Sequence, residues 1–249
     1  MMRLLEIIEK QFSNGLTSLA VRATKDTSPA EIVKALHLPP AQNVLLVFGG
    51  AGKMSADLFN KLAAVMEEIA RVVQKLNTTV LDGGTDSGVM RLLGQALFEI
   101  GHTSPYIGVL PALAKLDEEG NIAESILEPH HSHFVLLDED RWGDEVEMME
   151  ALATELAGEN PSLAILINGG SIAYQEVLHS AQQGRVVLVL KGSGRLADEI
   201  ATAVENVSME ERFRQLMETG NIRIVDMDSM LEELSTTLTH YLTEGEKHE

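Results

Sequence analysis

The sequence contains no cysteine among its 249 residues. This absence excludes disulfide bonds, thiolate catalysis and thiolate metal sites, and it agrees with a reducing compartment. No uncharged run of about 18 apolar residues occurs, so the sequence predicts no membrane span. The first ten residues, Met1–Lys10, interrupt their apolar run with acids, which is not typical of a signal peptide. We therefore expect a cytoplasmic protein.

Aromatic and basic residues are also scarce. Aromatics make up 4% of the chain, and 19 Lys and Arg stand against 38 Asp and Glu, which gives a formal net charge of −19. Nucleic acids and anionic membranes require a basic surface, so neither is expected as a partner. A small phosphorylated ligand stays compatible with this charge, because local dipoles and a few arginines are enough to hold it.

Short continuous apolar runs alternate with helical patterns along most of the chain. This alternation predicts an α/β fold whose parallel sheet is covered by helices on both faces. No composition break divides the chain, so residues 41–249 are interpreted as one domain. Residues 1–40 are predicted to be an N-terminal helical appendage, with an amphipathic helix over Met1–Phe12. The segment Leu16–Arg22 also fits a strand, and Ser28 begins a capping box ahead of a further helix.

The segment Thr79–Met90 carries the most informative local pattern. An apolar strand is followed by a glycine turn and then by a helical pattern that ends near Gly101. Thr85, Asp86 or Ser87 can cap this helix, and a helix N-terminus after a glycine turn suits a phosphate. The spacing matches neither the G-x-G-x-x-G nor the Walker A motif. A turn that binds nothing is the alternative.

Glycine turns recur at the ends of three other predicted strands, at Gly49–Gly50, at Asn168–Ser171 and at Gly192–Arg195. In open parallel sheets, ligands bind at the carboxyl ends of the strands. Four such turns therefore predict a ligand site at this edge of the sheet.

Four motifs occur in an order that resembles a known superfamily. They are Asp82-Gly-Gly-Thr-Asp-Ser-Gly-Val-Met90, Leu127-Glu-Pro-His-His-Ser-His-Phe134, Asn168-Gly-Gly170 and Lys191-Gly-Ser-Gly-Arg-Leu-Ala-Asp198. Together they resemble the SLOG superfamily, and within it the nucleotide-sensing domain of TRPM cation channels and its free-standing prokaryotic relatives. The resemblance covers about residues 42–206. It implies a Rossmann-like sheet that binds nucleotide derivatives such as NAD or ADP-ribose, and it implies self-association as a homo-oligomer.

The glycine turns and the resemblance together predict the ligand-binding residues. Phosphates are expected at 83–88 and 192–195, and the sugar and base beside Gly49–Gly50 and Gly169–Gly170. No cofactor and no metal site are expected. The predicted residues are Gly49, Gly50, Asp82, Gly83, Gly84, Thr85, Ser87, Gly88, Val89, Met90, His133, Trp142, Asn168, Gly169, Gly170, Ser171, Gly192, Ser193, Gly194 and Arg195.

A second branch of the superfamily, the LOG-type enzymes, implies an alternative function. These enzymes release the base from nucleoside monophosphates and carry Pro-Gly-Gly-x-Gly-Thr-x-x-Glu. The matching run Asn168–Glu176 keeps both first glycines and the glutamate, but Asn168, Ile172 and Ala173 replace the proline, the third glycine and the threonine. In that interpretation Glu176 is the catalytic carboxylate and Arg141 is the accompanying arginine.

Several of these side chains have a structural alternative. Arg195 either holds an anion or pairs with Asp198 on the surface. Asp82 either fixes the glycine turn or bonds a ribose hydroxyl. Trp142 either stacks on a base or packs at the surface. The histidines from His130 to His133 lack helical ligand spacing, so a hydrogen-bonding role of His133 is favoured over metal binding.

Overall fold

The computed structural model describes residues 5–50, 55–113, 126–205, 210–229 and 231–245. Within these ranges nine strands form one sheet and eight helices cover it. The strands are Glu6–Gln11 (β1), Thr17–Ala23 (β2), Val44–Gly49 (β3), Thr79–Asp82 (β4), Tyr106–Pro111 (β5), His133–Leu137 (β6), Ser162–Ile167 (β7), Val186–Lys191 (β8) and Ile222–Asp226 (β9). The helices are Pro29–Ala35 (α1), Ala56–Leu76 (α2), Gly88–Glu99 (α3), Val146–Ala157 (α4), Ser171–Gln182 (α5), Arg195–Glu205 (α6), Glu211–Glu218 (α7) and Leu231–Glu244 (α8).

The order of the strands creates one reversal point in the sheet. The order is β1-β2-β6-β5-β4-β3-β7-β8-β9, and β1 is antiparallel to β2 while the other pairs are parallel. From β3 the chain first builds outward through β4 and β5, and it later returns to the other side of β3 with β7. Such a switch point opens a crevice at the carboxyl ends of the strands.

Two hydrophobic cores lie on opposite faces of the sheet. Successive residues of β3 alternate between them, so that Leu46 and Phe48 belong to one core and Leu45 and Val47 to the other. Helices α1, α4, α5, α6 and α7 pack over the first face, and α2, α3 and α8 pack over the second. This arrangement confirms the predicted Rossmann-like α/β fold. None of the helices in the described ranges combines the length and the apolar character that a bilayer span requires.

The N-terminal region differs from the prediction. The helix predicted over Met1–Phe12 is wrong for the described part, because residues 6–11 form the edge strand β1 and pair with β2. A helical appendage over 1–40 is therefore corrected to two strands and the helix α1, all joined to the sheet. The strand alternative for Leu16–Arg22 and the Ser28 capping box with Glu31 are both confirmed. The domain boundary at residues 40 and 41 stays a prediction.

The sequence also predicts a long helix over residues 53–76 after β3 and a loop over 112–125 after β5. Helix α2 begins at Ala56 with Ser55 as its cap, three residues after the predicted start at Lys53, which lies outside the described residues. Most of the predicted loop over 112–125, including its turn at Asp117–Asn121, also lies outside them.

Candidate ligand-binding site

A cavity of about 660 Å³ lies at the switch point of the sheet, where β3, β4 and β7 end. This volume falls in the range of small-molecule sites. Its described lining consists of Val47, Gly49, Gly50, Gly83, Thr85, Asp86, Ser87, Met90, Ile126, Trp142, Glu145, Gly170, Ser171, Ile172, Ala173, Glu176 and Arg195.

Three helices begin at this cavity. α3 follows the turn after β4, α5 follows the turn after β7, and α6 follows the turn after β8. Ser87 is the N-cap residue of α3 and Gly170 that of α5, and neither helix has a side-chain hydrogen bond at its cap. Ser87 therefore occupies the predicted N-cap position, but its side chain makes no capping hydrogen bond. Free backbone N–H groups at helix starts favour an anion.

Arg195 brings the positive charge to the cavity. It has a left-handed backbone with φ of 49°, unusual for a residue other than glycine. A Cβ atom added to Gly50 would lie 3.1 Å from Arg195 Nη1. A Cβ atom added to Gly170 would lie 2.7 Å from Arg195 Nη2. The guanidinium therefore lies against the turns after β3 and β7. Among the described residues no acid pairs with it, and Asp198 instead accepts from the backbone N–H of Gly192 (2.6 Å).

Asn168 joins the turn after β7 to the turn that carries Arg195. Its backbone N–H donates to Ser193 Oγ (2.8 Å), and its side-chain Nδ2 donates to the Ser193 carbonyl (2.8 Å). Its carbonyl accepts from the N–H of Ala197 (3.0 Å). Asn168 Oδ1 is buried without a described partner and lies 2.5 Å from the Cβ position of Gly50. These bonds fix the start of α6 and thereby the direction of Arg195.

Two acidic residues also line the cavity. Glu176 on α5 is 6% exposed and Glu145 at the start of α4 is 4% exposed. The Glu145 carboxylate accepts from the N–H of Gly143 (2.6 Å), whereas Glu176 has no hydrogen-bond partner among the described residues. Burial, together with the charges of Glu145, Glu150 and Asp82, raises the pKa of Glu176 well above its ordinary range. Burial likewise raises the pKa of Glu145.

Asp82 fixes the glycine turn instead of facing the cavity. It is fully buried, and its Oδ1 accepts from the N–H of Gly84 (2.7 Å) while its Oδ2 accepts from the Tyr106 hydroxyl (2.5 Å). His131 Nε2 lies 2.9 Å from Asp82 Oδ1, and its Nδ1 lies 2.9 Å from Glu128 Oε2. The first of the two roles considered for Asp82 thus agrees with the structure.

The segment 126–131 lies along the glycine turn and holds it in place. The N–H of Glu128 donates to the Gly84 carbonyl (3.0 Å), and the N–H of Asp86 donates to the Ile126 carbonyl (2.6 Å). Burial opposes ionisation of Glu128 and His131, but their hydrogen bonds and opposite charges outweigh it. The pKa of Glu128 is lowered to about 2 and that of His131 is raised to about 9. A buried charged network therefore supports the turn.

The structure brings many of the predicted residues to the cavity. Those lining it are Gly49, Gly50, Gly83, Thr85, Ser87, Met90, Trp142, Gly170, Ser171, Glu176 and Arg195. Others support the turns from behind the lining, namely Asp82, Gly84, Gly88, Val89, Asn168, Gly169, Gly192, Ser193 and Gly194.

Two predicted residues lie apart from the cavity lining. Arg141 has an 84% exposed side chain whose Nε is 3.6 Å from Asp140 Oδ1. His133 is the first residue of β6, and its Nδ1 lies 2.8 Å from Ser132 Oγ. In the described part of the chain, no group of three or more His, Asp or Glu residues is arranged to hold a metal ion.

The sequence reasoning missed several lining residues, and Glu145 is the most important of them. The helical pattern over Glu145–Ala157 predicts Glu145 only as the first residue of a helix. The signal for it was its position after the loop that follows β6, since all loops after parallel strands meet at the same edge. The remaining missed residues are Val47, Ile126, Ile172 and Ala173, while Asp86 falls within the predicted phosphate-binding stretch 83–88.

Comparison with known proteins agrees with this architecture. The chain is 25% identical over 224 residues to the rat transient receptor potential cation channel subfamily M member 2. This alignment covers 73% of this chain and 15% of the channel. It is 26% identical over 226 residues to a Caenorhabditis elegans transient receptor potential channel. That alignment covers 76% of this chain and 11% of the channel. The chain thus spans only a small part of these relatives. The model of the family described as SLOG in TRPM, prokaryote, matches residues 42–235, and the chain belongs to this family.

Proposed function

We propose that the protein is a sensor that binds a nucleotide-derived ligand of the NAD or ADP-ribose type in the cavity at the switch point. The observation that carries the proposal is the guanidinium of Arg195, which has no acidic partner in the described ranges and lies against the turns at Gly50 and Gly170. A cation at a helix start opposes the helix dipole, so a bound anion would relieve this conflict. A phosphate or diphosphate is the natural anion for such a site.

The shape of the site supports a ligand larger than a phosphate. The cavity volume of about 660 Å³ accommodates a nucleotide, and Val47, Met90 and Ile126 give it apolar walls. The start of α5 supplies backbone N–H groups near the guanidinium, and the start of α3 lines the same cavity. Phosphates at these groups would leave the base and sugar beside the apolar walls.

The test is a calorimetric titration with ADP-ribose. Arg195→Ala should weaken binding by about tenfold or more, since charge-assisted contacts to phosphate are strong. Arg141→Ala is the matched control, because it removes the same charge from an exposed position outside the cavity lining. Equal affinities of both variants and the unmodified protein would remove Arg195 from the proposed site. Absence of binding by all three proteins would contradict ADP-ribose as a ligand.

One observation favours a second function, which is hydrolysis of an N-glycosidic bond. Glu176 is buried in the cavity, and its raised pKa keeps it protonated further toward neutral pH than an ordinary glutamate. A carboxylic acid of this kind can donate a proton to a leaving base nitrogen as the C–N bond breaks, while water adds its oxygen to the sugar carbon. The reaction would yield a free base and a ribose phosphate.

Chromatography after incubation with AMP, NAD and ADP-ribose separates the two functions. Turnover to free adenine or nicotinamide, abolished by Glu176→Gln and retained by Glu155→Gln on the exposed side of α4, would establish the hydrolase. Intact ligand recovered with the protein would support the sensor. Cytoplasmic location and self-association remain predictions from the sequence.

A further inference from the structure

Three residues on the α4 and α5 side of the sheet line the same cavity. Trp142 and Glu145 come from the segment that leads into α4, and Glu176 comes from α5. This segment packs on α5, because a Cβ at Gly143 would lie 3.1 Å from Gln175 Oε1. The three residues therefore belong to one wall.

Glu176 lacks a partner in this wall. It is 94% buried, and no described residue bonds to its carboxyl group. The acidic groups whose charges act on it are Glu145 at the N-cap of α4, Glu150 on α4 and Asp82 at the end of β4. Arg185, which pairs with Glu150, is already engaged there and with the hydroxyls of Ser162 and Ser180. A buried carboxyl group without compensation calls for a partner from outside the protein.

Trp142 indicates what kind of partner this is. Its side chain is 41% exposed, although it lines the cavity and is the single tryptophan of the sequence. An aromatic face beside carboxylates is the combination that binds organic cations, through cation–π attraction and charge neutralisation together. Ile172 and Ala173 on the same helix as Glu176 add apolar contact for a flat ring.

We propose that this wall, formed by Trp142, Glu145 and Glu176, holds a positively charged heteroaromatic ring of the ligand while Arg195 holds its phosphates. The ligand would then be an oxidised pyridine nucleotide, whose pyridinium ring carries a permanent positive charge. The proposal rests on the proposed function, because it assigns the second end of the same cavity. It divides the cavity into a cationic end for phosphates and an acidic end for the ring.

Proton linkage supports the assignment. Burial and the neighbouring acids raise the pKa of Glu176, and burial raises that of Glu145. A cation placed beside these carboxyl groups would stabilise their ionised forms and lower both pKa values. Binding of a pyridinium ring would therefore release protons, whereas binding of a neutral ring would not.

The first test compares NAD⁺ with NADH, which share both phosphates and the adenosine and differ in the charge of one ring. At a mildly alkaline pH we expect NAD⁺ to bind about tenfold more tightly than NADH. Glu176→Gln should bring the ratio of the two affinities close to one. Glu155→Gln is the matched control, because it removes one negative charge from the exposed side of α4 and should keep the ratio.

The second test counts protons by calorimetry in two buffers with different ionisation enthalpies. NAD⁺ binding should release protons and NADH binding should not, and Glu176→Gln should reduce the release. Arg195→Ala should weaken both ligands alike and leave their ratio unchanged.

The outcomes separate this proposal from the proposed function. Tight binding of ADP-ribose with equal affinities for NAD⁺ and NADH would overturn the cation-binding wall and leave the nucleotide site in place. A preference for NAD⁺ that survives Glu176→Gln would also overturn it. Failure of ADP-ribose, NAD⁺ and NADH to bind would contradict both proposals.

Discussion

Glu128 occupies the space that a side chain at Gly94 would need. A Cβ atom at Gly94 would overlap the carboxyl group of Glu128. The carboxylate that holds His131 therefore packs directly against the backbone of α3. Glycine in the middle of this helix is explained by the buried network beneath the glycine turn.

This contact reverses the usual effect of a glycine replacement in a helix. Gly94→Ala would ordinarily stabilise α3 by about 1 kcal/mol, because alanine is the better helix former. Here the new methyl group meets buried atoms that have little room to move, so we expect a net loss of roughly 1–3 kcal/mol in the free energy of unfolding. Urea denaturation measures this change in the free energy of unfolding. Gln95→Ala, at the neighbouring exposed position, should change stability by less than about 0.5 kcal/mol. A stabilised Gly94→Ala variant would contradict the packing described for Glu128.

The network also predicts how stability depends on pH. The pKa of His131 is raised from 6.5 to about 9, so its stabilising contribution is complete below pH 6.5 and is lost as the pH rises through 9. The pKa of Glu128 is lowered from 4.5 to about 2, so its contribution is complete above pH 4.5 and is lost as the pH falls through 2. We expect Glu128 and His131 to stabilise the fold most between pH 4.5 and pH 6.5. The loss from His131 amounts to about 3 kcal/mol, since each pKa unit corresponds to ~1.4 kcal/mol.

A variant isolates the alkaline part of this effect. His131→Gln should be less stable at pH 6.5 and should lack most of the decline between pH 6.5 and pH 9 that the unmodified protein shows. Burial raises the pKa of Glu176 in both proteins, so its contribution to the pH dependence cancels in their difference. His240→Gln, at an exposed position of α8, is the control and should keep the original profile. Parallel profiles of the His131→Gln variant and the unmodified protein would show that His131 does not titrate as described.

The sequence predicted the strands of the sheet better than its acidic cavity wall. Continuous apolar runs such as Val44–Phe48 are typical of buried parallel strands, and the glycine turns after them are local signals. The prediction of a helix at β1 is wrong because the spacing of its apolar residues fits a helix as well as a strand. Pairing with β2 decides in favour of the strand, and across this pair Arg22 Nε lies 3.5 Å from Glu6 Oε2. Glu145 and Glu176 come together only because α4 packs on α5. No local pattern contains that information.

Arg185, the residue before β8, and Glu150 on α4 form a buried ion pair. Arg185 is 7% exposed and Glu150 is 2% exposed, and the guanidinium also donates to Ser162 Oγ (2.6 Å) and to Thr154 Oγ1 (3.2 Å). Arg185→Ala leaves the carboxylate buried without its partner, so we expect a loss of roughly 3–5 kcal/mol in thermal or urea unfolding. The double variant Arg185→Met with Glu150→Leu should recover much of it, because neither charge then remains buried. A loss as large in the double variant would assign the effect to packing.

A substitution at Gly170 can displace the guanidinium of Arg195 without removing its charge. Its backbone is extended, with φ of −143°, so alanine introduces no backbone strain there. The new Cβ would lie 2.7 Å from Arg195 Nη2 and would displace the guanidinium from the turn. Gly170→Ala should therefore weaken ADP-ribose binding in the same direction as Arg195→Ala. In a double-mutant cycle the two losses should fall short of additive, since both act through one group. Full additivity would mean that Gly170 contacts the ligand independently.

Trp142 offers a direct signal for the cavity, because it is the single tryptophan of the chain and lines the site while 41% exposed. A nucleotide ring stacked on the indole would shield it from water and change both the intensity and the wavelength of its fluorescence. Titration with NAD⁺, whose pyridinium ring is assigned to this wall, should give a saturable change, and Arg195→Ala should shift its midpoint to higher concentration without altering the starting spectrum. Trp142→Phe, which keeps an aromatic face, should lose the signal while calorimetry still detects binding. An unchanged spectrum at ligand concentrations that saturate the calorimetric signal would place the bound ligand away from Trp142, and the aromatic part of the acidic wall would then have no role in recognition.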